Sequence, residues 1–136
     1  MLAHQAINQY RQNHIQHASP IELVVMLYDK AIIYLTIARD SLVEKDIDAK
    51  CLAMSRVIDI VTELQAVLDK DRGGDIAERL DALYTYMLQS LTMAHYHNDV
   101  QPMEEVIGLL QELRGAWQTL VQPAMATTPA VTAGGR

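Results

Sequence analysis

Five histidines, one cysteine and seven glutamates are the residues of this 136-residue chain with the most chemistry to offer, and spacing limits what they can do. A di-iron centre in a helical bundle is built on Glu-x-x-His pairs, and none of the glutamates (22, 44, 63, 78, 104, 105, 112) is followed by His three residues later. His95 and His97 are two apart, so on a helix they point to different sides and share a metal poorly. His14 and His17 have compatible spacing but stand in a polar stretch that reads as a tail. Cys51 has a cation beside it in Lys50, which favours a thiolate, yet its neighbours Leu52 and Met54 predict a buried, inert thiol. A surface His on a four-helix bundle can also accept a phosphoryl group. His95 or His97 would have to serve, and Tyr96, His97 and Asn98 follow instead of the small residue and Lys such a site favours. No Gly-rich phosphate loop, nucleophile elbow or Cys-x-x-Cys is present. Of the six tyrosines, Tyr28, Tyr34, Tyr84 and Tyr86 fall on helices and read as core-edge residues with their hydroxyls reaching water. The expectation is a protein that is not an enzyme and carries no metal or cofactor.

Composition narrows the remaining classes. Half of the residues are apolar, Phe is absent, and the net charge is −6. Aliphatic side chains must build the core. A nucleic-acid reader shows a basic patch, and no cluster of Lys and Arg occurs here. The first twenty residues lack the apolar core of a secretory signal. Residues 82–98 carry no Asp, Glu, Lys or Arg, but Thr, Tyr, Gln, Ser and His interrupt them too often for a membrane span. A cytoplasmic protein without membrane insertion is expected.

The elements that hold these residues are helices. Ser19 is a good N-cap, Pro20 fits the first helical position and Glu22 completes a capping box, predicting a first helix to about Val43. A second, capped by Asp46, runs from Ile47 to about Lys70 on Met54, Val57, Val61, Leu64 and Leu68. The glycines of "DRGGD" predict its end. A third begins after Asp75 with the capping box "DIAE" and carries Ile76, Leu80, Leu83, Met87, Leu91 and Ala94. A fourth starts near Pro102 on Met103, Val106, Leu110, Leu113, Trp117 and Leu120. Short links between long helices give antiparallel neighbours. The predicted fold is all-α: an antiparallel up-down four-helix bundle over residues 19–121. A short N-terminal cap segment (1–18) precedes it and a disordered tail (122–136) follows it.

The first helix has more apolar surface than one buried face needs. Val24, Leu27, Ala31, Leu35, Ala38 and Leu42 make the bundle stripe at 100° per residue. Met26, Ile33 and Ile37 fall nearly opposite, near Lys30 and Asp40, with Ile21, Val25 and Ile32 on a flank. Either the helix is packed on several sides, or part of this surface is a groove for a partner. Ile7 and Tyr10, apolar points three apart on a polar segment, could cover it until the partner arrives. A self-assembling structural bundle is a further use for such a surface.

Three stretches carry a family resemblance: "ASPIELVVMLYDKAI" (18–32), "RGGDIAERLDALYTYM" (72–87) and "LRGAW" (113–117), with Tyr10 ahead of them. In order and spacing, from about Ile7 to Leu120, the chain resembles the FliS family of flagellar secretion chaperones. Lys30, Gln89, Ser90 and His95 depart from that pattern. The resemblance implies an antiparallel helical bundle whose partner is the C-terminal region of flagellin. The client is disordered beforehand and wraps the chaperone, which keeps it from polymerising in the cytoplasm and presents it to the export apparatus. It also implies that the N-terminal segment occludes part of the binding surface, with Ile7 and Tyr10 as the cap. Met26, Ile33 and Ile37 are then the candidate contacts. A monomer is expected, with a dimer as the alternative.

Overall fold

The computed structural model describes residues 19–133, with side chains as far as Val121. Expectations placed on residues 1–18, Ile7 and Tyr10 among them, and on the side chains of residues 122–136 lie outside the described residues. The elements in chain order are α1 (Pro20–Val43), α2 (Ile47–Ala66), α3 (Lys70–His97) and α4 (Val100–Ala133). Among the described residues there is no strand. The backbone of α4 continues as helix past Val121, the boundary the sequence suggests.

Local chemistry sets the ends of these helices. The Ser19 hydroxyl accepts from the Glu22 amide at 3.1 Å, and the Ser19 amide donates to Glu22 Oε1 at 2.9 Å. Both arms of the predicted capping box are therefore closed. Asp46 caps α2 by accepting from the Ala49 amide at 3.2 Å. The glycines act differently from expectation. Helix α2 ends at Ala66 rather than near Lys70, and Asp69, not Asp75, is the N-cap of α3, accepting from the Arg72 amide at 3.1 Å. Gly74 then breaks the opening turn of α3 with φ 55 and ψ −132, a geometry that a Cβ makes costly. A Cβ on Gly73 would sit 2.6 Å from Ala77 Cβ. The pair of glycines thus kinks the start of α3 instead of stopping α2. Asn98 takes the left-handed cap at the far end of α3, a conformation Asn tolerates well.

The helices form a closed ring in which α1 packs on α2 and α4, and α3 packs on the same two. Their directions follow from shared neighbours. Val24 near the start of α1, Leu64 near the end of α2, Leu80 near the start of α3 and Trp117 on α4 line one recess. At the other end, Lys50 in the first turn of α2 meets His95 in the last turn of α3. The bundle therefore runs up, down, up, down, as the short links require.

The core is aliphatic where Phe is missing: Leu35, Met54, Leu64, Met87, Leu91, Met103 and Leu110 are buried completely or nearly so. Each such side chain contributes about 1.5–3 kcal/mol of transfer free energy. Two tyrosines complete it. Tyr28 and Tyr84 are the largest of the fully buried side chains, and their hydroxyls meet at 2.6 Å. This overturns the expectation that both hydroxyls reach water. Since α1 and α3 stand diagonally in the ring, the contact ties two helices that are not direct neighbours. Burial pushes the Tyr28 phenol above its ordinary value of 10.0, opposed by hydrogen-bonding groups of Tyr84 and Trp117. Burial, then the Tyr28 hydroxyl, raises Tyr84 as well. Both stay neutral at physiological pH, and each satisfies the other in place of water. Two stripe positions do not reach the core: Ile76 and Leu120 are 69% and 56% exposed.

Candidate functional site

Helix α1 turns one face to its neighbours and leaves another open. Tyr28, Ala31, Leu35 and Ala38 are fully buried, while Ile33 and Ile37 are 56% and 44% exposed. Leu23, Met26, Lys30, Ile33 and Ile37 follow one another at three- and four-residue intervals, which puts them on a single strip of the helix surface. Among the described residues, packing takes up Val25 and Ile32 on the flank and leaves Ile33 and Ile37 open.

The strip continues across α2. Arg56, Ile60, Glu63 and Val67 share the same alternating spacing on that helix, and the Arg56 guanidinium lies 5.8 Å from the ring centroid of Tyr34 on α1. Between the two helices runs a groove of about 460 Å³, lined by Leu23, Met26, Leu27, Lys30, Glu63 and Val67. Its floor is aliphatic, with one cation and one anion on its lining. A second recess of about 600 Å³ opens at the adjoining end of the bundle, walled by Leu80, Tyr84 and Trp117. The two share Pro20, Val24 and Val67. Apolar surface thus wraps from the outer face of α1 around the bundle end at which residue 19 joins the helix.

Of the predicted contacts, Met26 lines the groove, and Ile33 and Ile37 extend the strip along α1 beyond it. Ile7 and Tyr10 fall outside the described residues. Cys51 is exposed, contrary to the buried thiol expected. Its neighbour Lys50 is the buried one, 2% exposed. The spacing 50, 54, 57, 61, 64 places Lys50 on the α2 core stripe, a signal that its charge obscures. His95 faces Lys50, whereas His97 is exposed. Tyr86 is also exposed and donates to Glu105 of α4 at 2.9–3.0 Å. Asp29 of α1 and Arg114 of α4 form an ion pair at 2.6 Å. Among the described residues no group of three or more His, Cys, Asp or Glu is placed to hold a metal ion. No described helix is long and apolar enough to cross a membrane.

An all-α bundle with an open apolar groove between two helices has the kind of surface that the class of helix- and peptide-binding modules uses. Comparison with known proteins gives the class a family. The model of the family described as "Flagellar protein FliS" matches residues 3–124, so the chain belongs to the FliS family of flagellar secretion chaperones. It is 42% identical over 107 residues to the flagellar secretion chaperone FliS of Salmonella typhimurium, covering 78% of this chain and 79% of that one. It is 34% identical over 121 residues to the flagellar secretion chaperone FliSB of Pseudomonas aeruginosa, covering 86% and 96%. The corresponding chaperone of Vibrio cholerae is 34% identical over 103 residues, covering 76% of each.

Proposed function

We propose that this chain is a cytoplasmic, non-enzymatic chaperone for flagellin. It binds the disordered C-terminal region of that subunit, keeps it from polymerising early and hands it to the export apparatus. The observation that carries this reading is the open apolar strip of α1, continuous with the groove beside α2. A disordered client that folds on binding can cover a long shallow surface of this kind without a deep pocket. Leu23, Met26, Ile33 and Ile37 supply apolar contacts at helical spacing, and Lys30 and Glu63 orient the client at the rim.

In this reading the N-terminal segment is the competitor. It joins α1 at residue 19, beside both recesses. The ten residue-to-residue steps from Tyr10 to Pro20 span at most about 33–36 Å when extended, enough to reach either one. Ile7 and Tyr10 cover part of the apolar surface in the free protein and give way to flagellin. A cap that holds the site closed for part of the time lowers apparent affinity by that fraction. Deleting residues 1–15 should leave the circular-dichroism melt intact, raise binding of an apolar dye, and tighten or speed binding of a flagellin C-terminal peptide in titration calorimetry. If deletion abolishes binding while the bundle stays folded, the segment contacts the client and is no competitor.

A further inference from the structure

Lys50 and His95 lie at the end of the bundle away from the apolar groove. The Lys50 side chain is carried into the core on the α2 stripe and is 2% exposed. Its Nζ lies 2.8 Å from His95 Nδ1 and donates to the His95 backbone carbonyl at 3.1 Å. Among the described residues no carboxylate pairs with it. Its negative partner is instead the carbonyl end of α3, where the helix dipole favours a cation. An ammonium can only donate, so Nδ1 must be the acceptor and the imidazole must be neutral for the contact to form. We propose that the Lys50–His95 contact is an acid-released latch. It ties the first turn of α2 to the last turn of α3 while His95 is neutral, and frees that end of the bundle once the ring is protonated.

Protonation would place an N–H on Nδ1, opposite a donor of like charge less than 3 Å away. Both members of the pair then repel, and either Lys50 leaves its buried position or the ring turns outward. Lys50 of α2 is the charged group whose field acts on the ring. Carboxylates at this end of the bundle include Asp46 and Asp99, which accept from the Ala49 and Gln101 amides. On its own helix the neighbours are Tyr96 and His97, whose rings pack edge to face with centroids 5.0 Å apart. Burial, and after it the Lys50 charge, hold His95 below its ordinary value of 6.5.

The direction of the effect follows by linkage. A base whose folded pKa is depressed stabilises the closed form above its unfolded pKa, and that contribution is lost as pH falls. With 6.5 for the open form and a ring that stays neutral when closed, the open fraction rises by at most about 25-fold between pH 7 and pH 5. The test is carried out on the full chain. NMR titration of the imidazole signals should place His95 below its ordinary value of 6.5. Amide protection factors over residues 50–54 and 91–95 should fall several-fold between pH 7 and pH 5 in the wild type. They should hold in His95→Asn, whose side chain keeps a neutral acceptor for Lys50 and does not titrate. Titration of His95 at or above 6.5 would overturn the proposal, as would an equal loss of protection in wild type and variant. The histidine titration needs no variant, so a His95→Asn chain that fails to fold would still leave the proposal open to refutation.

Discussion

Ile33→Asp combined with Ile37→Asp should leave the bundle folded and weaken binding of the flagellin C-terminal region at least about thirtyfold. Both side chains are roughly half exposed in the free protein, so charge there meets water and not the core. Surface changes of this kind usually move stability by about 0.5 kcal/mol or less. In the complex the same positions would be covered. Each isoleucine would then bury the half it leaves open, worth about 1 kcal/mol or more, and each aspartate would lose water without a partner. Calorimetric affinity and the thermal melt together separate the outcomes. Unchanged affinity in a folded variant would remove this strip from the binding surface. A collapsed melt would make the two residues structural.

Tyr84→Ala should destabilise the fold by about 3–5 kcal/mol, as other large aromatic truncations in packed cores do. The ring is 1% exposed and fills the space between α1 and α3. The hydroxyl can be tested apart from the ring. Tyr84→Phe keeps the shape but leaves the Tyr28 hydroxyl without its 2.6 Å partner, an orphaned buried group that costs about 1–3 kcal/mol. The double change Tyr28→Phe with Tyr84→Phe removes both polar groups and should recover most of that loss. Denaturant midpoints of the three variants check the order. A Tyr84→Phe variant as stable as the wild type would mean that the hydroxyl pair contributes nothing to the core.

These tyrosines show how far the sequence could be read. Val24, Tyr28, Ala31, Leu35, Ala38 and Leu42 keep one helical spacing, as do Leu80, Tyr84, Met87, Leu91 and Ala94. Position alone therefore puts both rings in the core, and only the usual preference of a hydroxyl for water argues otherwise. Each phenol is buried because the other supplies its hydrogen bond, a fact of tertiary structure that no single helix pattern contains. Lys50 follows the same logic, with the carbonyl end of α3 as the partner that local sequence cannot reveal. The glycines misled for a different reason. A Gly-Gly pair accepts a helix stop or a kink equally well, and Asp69 as the cap decides between them. What was legible without tertiary information was local: the capping box at Ser19, the cap at Asp46, and the stripes of α2 and α4. The surplus apolar strip of α1 was legible too, because Met26, Ile33 and Ile37 break the pattern of a half-buried helix. Its exposure required the bundle, since only the placement of α2 and α4 shows which faces of α1 are left uncovered.

Methyl NMR of the full chain during titration with a flagellin C-terminal peptide tests the central claim most directly. Probes exist on separate parts of the surface: Met26, Ile33 and Ile37 along the outer strip of α1, and Met93, 53% exposed, on α3, which is not a direct neighbour of α1. Saturable shifts are expected at Met26, Ile33 and Ile37, with Met93 unmoved. Shifts confined to Met93, or none at saturating peptide, would contradict the proposed role of the strip.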